Sequence, residues 1–184
     1  VGRLAYNADE ARRRWESGLD ALGQKSATLT ILCAQEHADM IRKLIQTWQG
    51  ALGITLILRL EAVDRAELRT RLEKGDYEIA FAPVTASGSS AVEFLSQFAS
   101  AASGNLLNYS SEAYNKIISS MNMAASRQLI QLCKQAETHL IQNGLVYPLY
   151  AESSFFAMAQ NVSGIVYHTL DGTVRFLKGE RLDS

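Results

Sequence analysis

Apolar residues recur at three- and four-residue spacing in Ala8, Ala11, Trp15, Leu19 and Leu22, one face of a helix that Asn7 can cap and Gly23 can stop. Residues 28–33 abandon that rhythm for an unbroken apolar and β-branched run of strand length. A second helical stripe comes next in Met40, Ile41, Leu44, Ile45, Trp48, Ala51 and Leu52, and Gly53 ends it before another apolar run at residues 54–60. Asp64 and Glu67 have the spacing of a capping box, Gly75 stops the helix they open, and residues 77–82 read as a third strand. Helix and strand alternate throughout. Such alternation predicts an α/β layer architecture built on a mostly parallel central sheet.

The remainder is richer in helix. Ser90 and Glu93 form a capping box ahead of a short helix that buries Phe94, Leu95 and Phe98. Ser110 or Ser111 caps the next, with Tyr114, Ile117, Ile118 and Met121 inward, and a longer helix runs from about residue 124 to 142 before the Asn143-Gly144 stop. Residues 146–150, 155–159 and 174–177 read as short strands, Pro148 keeping the first off a central position. No repeat, low-complexity tract or linker divides the chain, so residues 1–184 are treated as one α/β unit.

Charge narrows the function. With 18 basic and 19 acidic side chains there is no positive excess to displace counterions from nucleic acid, so no nucleic-acid partner is expected. No apolar run approaches the roughly 20 residues of a membrane helix. Cys33 and Cys133 lie far apart in apolar surroundings and read as free thiols. The chain starts at a valine, which suggests a processed or truncated piece without its address label.

Catalytic signatures are missing: HExxH, GxSxG, GxxxxGK and GxGxxG do not occur, and the three histidines, His37, His139 and His168, fall on different elements. No metal, cofactor or catalytic residue is assigned. One place stands out on physical grounds. Ligands of open α/β sheets bind outside the carboxyl ends of the strands. There the third strand runs into Pro83-Val84-Thr85-Ala86-Ser87-Gly88-Ser89-Ser90, whose N–H groups and hydroxyls lie near a helix start. The alternative is an ordinary flexible loop with a cap.

Glu36-His37 ahead of the Trp48 helix, Leu52-Gly53-Ile54, Gly75-Asp76-Tyr77-Glu78-Ile79-Ala80 and Tyr147-Pro148-Leu149-Tyr150 occur in the order and near-spacing of one family. Over residues 6 to about 176 the chain resembles the C-terminal lobe of extracytoplasmic solute-binding proteins of the oligopeptide, dipeptide and nickel class, which serve ABC importers. The resemblance implies a type II periplasmic-binding-protein-like lobe whose partners are a small peptide or other small solute, an N-terminal lobe of the same protein and an ABC-transporter permease. It also implies a periplasmic or otherwise extracytoplasmic location, with a lipid anchor as one option.

In peptide-binding relatives the loop after the third strand reads Gly-Trp, two residues, then Asp-Tyr, and the Asp faces the ligand's α-ammonium. Here Pro83-Val84 and Ser87-Gly88 occupy those positions, so the aromatic platform and the acidic anchor are both replaced. A hydroxyl accepts a hydrogen bond from an ammonium without neutralising it, and an unpaired buried charge is costly. By this comparison the ligand is blocked, non-peptidic or anchored by the other lobe. Thr85, Ala86, Ser87, Gly88 and Ser89 are the expected ligand loop. His37 joins them as a ligand contact or a helix cap, Arg65 as a carboxylate receiver or a solvated first-turn residue, and Asn108 as a residue that reaches the cleft. Two rivals remain, a solute-sensing domain of a bacterial transcription regulator and, more distantly, an enzyme with Ser87 as nucleophile.

Overall fold

A computed structural model describes residues 6–85, 90–151, 157–167, 174–176 and 178–181. The first half builds a parallel sheet. Helix α1 (Ala8–Ala21) starts where the Asn7 side chain accepts from the Glu10 N–H at 3.0 Å, and Gly23 leaves it at φ 65°. Strand β1 (Ala27–Ala34) continues through a 3-10 turn (Gln35–His37) into α2 (Ala38–Leu52), succeeded by β2 (Leu56–Val63), α3 (Arg65–Lys74) and β3 (Ile79–Phe81). The strand order is β2-β1-β3, all parallel, so β1 is central.

Alternation along β1 sorts its side chains between the two faces. Ile31 and Cys33 pack with Ile41, Ile45, Leu56 and Leu58 on one side, while Leu32 and Ala34 pack with Leu68 and Leu72 on the other. Both faces are therefore buried, as the continuous apolar run predicts. Each fully buried Leu or Ile contributes about 1.5–3 kcal/mol, so β1 is the main anchor of this half.

The second half is a helical layer. Helix α4 (Ala91–Ser96) opens on the complete Ser90–Glu93 capping box, α5 (Glu112–Met121) is capped by Ser111, and α6 (Ser126–Gln142) ends before Gly144 at φ 66°. Leu95, Phe98, Tyr114, Ile118, Met121, Ala136 and Leu140 form its core. The Tyr114 hydroxyl donates to the Leu95 carbonyl at 2.8 Å, and burial pushes its pKa up to about 12. Two-residue strands β4 (Val162–Ser163) and β7 (Glu180–Arg181) pair antiparallel, as do β5 (Val166–Tyr167) and β6 (Val174–Arg175).

Three strand expectations need correction. Residues 146–150 form no strand: Pro148 lacks an N–H, and Tyr147 and Tyr150 are exposed instead of facing a sheet neighbour. Residues 157–159 are likewise irregular, and 155 and 156 lie outside the described residues. The third strand shrinks from 77–82 to Ile79–Phe81, since Glu78 takes the Thr30 N–H through its carboxylate at 2.7 Å and Tyr77 turns its hydroxyl onto the Leu106 carbonyl. Asp64 caps α3 by accepting from the Glu67 N–H at 2.8 Å. Cys33 and Cys133 are free, the first buried and the second half-buried, and burial raises the Cys33 thiol pKa. Among the described residues no helix is long and apolar enough to cross a membrane.

Candidate functional site

The three strands finish level with one another. Ala34 of β1 pairs with Val63 of β2, and Cys33 with Phe81 of β3, so the connections leaving all three strands emerge along one edge. His37 comes after β1 through the 3-10 turn, Arg65 after β2 and the Asp64 cap, and Thr85 after β3. Three of the residues singled out in the sequence thus share the carboxyl edge. Ala86, Ser87, Gly88 and Ser89 lie outside the described residues, as does His168.

His37 holds the N-cap position of α2, yet its backbone is helical (φ -97°, ψ -3°) and its side chain makes no capping bond. The ring instead meets Phe81 edge-on with centroids 5.0 Å apart, and Phe81 lies 6.2 Å from Tyr150. Phe81 and His37 are half-buried while Tyr150 is 51% exposed, so the group presents an aromatic surface at the end of β3. Offset and edge-on ring pairs at such distances contribute about 0.5–1.5 kcal/mol beyond their buried area.

Beside the aromatics is an ionic pair. Arg65 donates through Nε to Glu36 Oε1, which holds the Glu36 carboxyl below the usual carboxylate range. Arg65 remains 83% exposed and Glu36 40%. Phe81, Tyr150 and Glu36 contact His37 or Arg65, directly or through one another, and sequence reasoning does not single them out. Signals for them exist: Glu36 and Tyr150 stand inside two of the family segments, and Phe81 is the last strand residue before the expected ligand loop.

Asn108 is elsewhere. Its side chain packs on Gly75, where a Cβ would fall 2.7 Å from Asn108 Nδ2, and the neighbouring Leu106 carbonyl receives the Tyr77 hydroxyl at 2.5 Å. Gly75 and Tyr77 precede β3, so Asn108 belongs to the amino edge, opposite His37 and Arg65. Its own backbone is left-handed at φ 49°, a conformation that asparagine tolerates, and it serves that turn. An open groove of about 570 Å³ lined by Trp15, Leu19, Leu22 and Leu29 also sits toward the amino edge. His139 shares a 3.1 Å hydrogen bond with the Tyr109 hydroxyl inside the helical layer.

No family model matches the sequence, and no curated protein does. Solved structures do match in fold. An oligopeptide ABC transporter substrate-binding domain from Bacillus anthracis superposes with a TM-score of 0.81 at 18% identity, over 98% of this chain and 36% of that one. Listeria monocytogenes OppA bound to peptide gives 0.78 at 19% identity, over 97% and 34% of the two chains. The pheromone receptor PrgZ, solved to show its mode of peptide binding, gives 0.76 at 19%, over 97% and 35%. The fold is that of a lobe of a type II periplasmic binding protein. The chain spans about a third of the length of these structures. These neighbours are binding proteins, and they lend no support to the transcription-regulator alternative.

Proposed function

We propose that this chain is the ligand-binding, C-terminal lobe of an ABC-importer substrate-binding protein that closes on a short peptide or related small solute. The observation that carries the reading is the open aromatic surface of His37, Phe81 and Tyr150 at the carboxyl edge of a parallel sheet, where α/β folds take their ligands. A ligand side chain or peptide plane stacks on it, beside the backbone that leaves β3 toward Thr85. A second lobe of the same protein covers the opposite side, since a single edge leaves most of a ligand in water. In this role the protein performs no chemistry of its own. It works outside the cytoplasm and hands its ligand to a membrane permease.

Glu36 is an acidic group at this edge, and Arg65 already occupies it. That supports a lobe with weak demand for a free ligand ammonium. The test is calorimetry on the full-length protein with the tripeptides Ala-Phe-Ala and Ala-Ala-Ala. Ala-Phe-Ala should bind, and Tyr150→Ala should weaken it roughly three- to tenfold, the value of one aromatic contact. Failure of both tripeptides to bind the folded protein overturns the reading.

A further inference from the structure

We propose that Arg65, oriented by Glu36, is a carboxylate-recognition residue of this lobe, so that the preferred ligand carries an anionic group beside an apolar or aromatic one. The inference rests on the peptide-binding reading above and names the chemistry of its ligand.

Arg14 and Arg69 are also held by Nε, each within its own helix, whereas the Arg65 pair joins two elements, Glu36 in the turn before α2 and Arg65 at the start of α3. Glu36 takes Arg65 by its Nε, and among the described residues nothing takes the two Nη groups. A guanidinium held at one edge by a carboxylate is turned, not consumed: its terminal fork stays open, and a fork is the shape that meets a second carboxylate through two parallel bonds. Ordering also lowers the entropy lost when the fork closes on a ligand. An exposed glutamate is ionised at neutral pH, and Arg65 shifts Glu36 further in that direction, so the pairing persists there.

Position matches geometry. Glu36 and His37 are consecutive, and they divide the edge between them: Glu36 turns to Arg65 at the end of β2, His37 to Phe81 at the end of β3. A cationic fork and an aromatic surface therefore flank one short turn. Arg71, six positions further on α3, shows what a structural arginine looks like here: it is 19% exposed and bridges Glu61 at 2.6 Å and Asp76 at 3.2 Å. Arg65 has no comparable structural employment.

The test uses four tripeptides on the full-length protein by calorimetry: Ala-Phe-Asn-amide with no carboxylate, Ala-Phe-Asn with a terminal one, Ala-Phe-Asp-amide with a side-chain one, and Ala-Phe-Asp with both. At least one of the carboxylate peptides should bind about tenfold or more tighter than the neutral amide, since hydrogen bonds to charged groups are the stronger class. Which of the two single-carboxylate peptides gains identifies the source of the group. Arg65→Gln should erase that gain, so that the carboxylate peptides bind no tighter than Ala-Phe-Asn-amide, and Arg65→Lys should keep only part of it. The advantage should also shrink as salt rises. Equal binding of all four peptides, or a gain that survives Arg65→Gln, overturns the inference and leaves the peptide reading standing. Binding of none of them overturns the peptide reading itself. Because Arg65 is exposed, Arg65→Gln is expected to fold, and an unchanged melting curve makes its result readable.

Discussion

Two arginines on helix α3 met different fates. Arg71, near its end, is locked between Glu61, Asp76 and the Asp76 carbonyl, whereas Arg65, at its start, is held by one carboxylate and otherwise faces solvent. Because α3 runs back along a parallel sheet, its two ends report on the two edges. At the amino edge polar groups are spent on one another: Asn108 on Gly75, Tyr77 on the Leu106 carbonyl, Arg71 on Asp76. At the carboxyl edge Asp39 and Asp64 are also spent, on Arg42 and on the Glu67 N–H, while the terminal fork of Arg65 stays open among the described residues. If the proposed site is right, it is this open fork, and not residue type, that marks the carboxyl edge.

Breaking the amino edge should therefore cost stability and little else. Gly75 sits at φ 68°, and a Cβ there would meet Asn108 Nδ2 at 2.7 Å. Asparagine can swing away, but the left-handed backbone penalty remains, about 1–2 kcal/mol. Gly75→Ala should lower the melting temperature by roughly 2–8 °C in calorimetry, with peptide affinity preserved below the transition. Arg65→Gln should do the reverse. Equal destabilisation by the two variants would mean that the edges do not differ in kind.

A smaller effect is expected at Tyr77. Its hydroxyl donates to the Leu106 carbonyl, and burial raises its pKa. Tyr77→Phe should cost about 0.5–1.5 kcal/mol in urea unfolding near neutral pH. Linkage sets the sign at alkaline pH: a raised folded pKa means that the unfolded chain releases its proton first, so the stabilisation is whole below the ordinary tyrosine range and disappears as pH rises through the folded value. Tyr77→Phe should flatten part of the alkaline decline. Tyr114, 1% exposed and pushed up to about 12, should carry the rest.

The sequence pattern exposed most of the fold because its signals were local. Asn7, Asp64, Ser90 and Ser111 each take the N–H three residues on, as their spacing predicts, and the unbroken run in β1 announced a strand buried on both faces. Residues 146–150 misled because a Tyr- and Val-rich run has strand composition wherever it lies, while a strand also needs a neighbour. Order along the chain puts His37, Arg65 and Thr85 on one sheet edge, since each comes shortly after a strand, although His37 and Arg65 drew attention only through the family resemblance. Asn108 defeated the same reasoning: whether a loop between helices returns to one sheet edge or the other depends on packing against Gly75 and Tyr77, which no local pattern encodes. The Phe81–Tyr150 contact, 69 positions apart, was hidden for the same reason.

The gentlest probe of the asymmetry is the titration of Glu36. Arg65 lowers its carboxyl pKa, first through the direct hydrogen bond, and a depressed folded pKa contributes stability that is present above the ordinary glutamate range and lost as pH falls through the lowered value. The pair is exposed, so the global effect should be too small to move the melting temperature, unlike the changes at Gly75 and Tyr77. The local effect should still be visible. Carboxyl-carbon NMR should place the Glu36 midpoint below that of an ordinary glutamate, and Arg65→Gln should bring it back up. If the midpoint in Arg65→Gln equals that in the unaltered protein, Glu36 does not hold Arg65 in solution, the guanidinium fork is not aimed toward the turn before α2, and the carboxyl edge loses its cross-element cation.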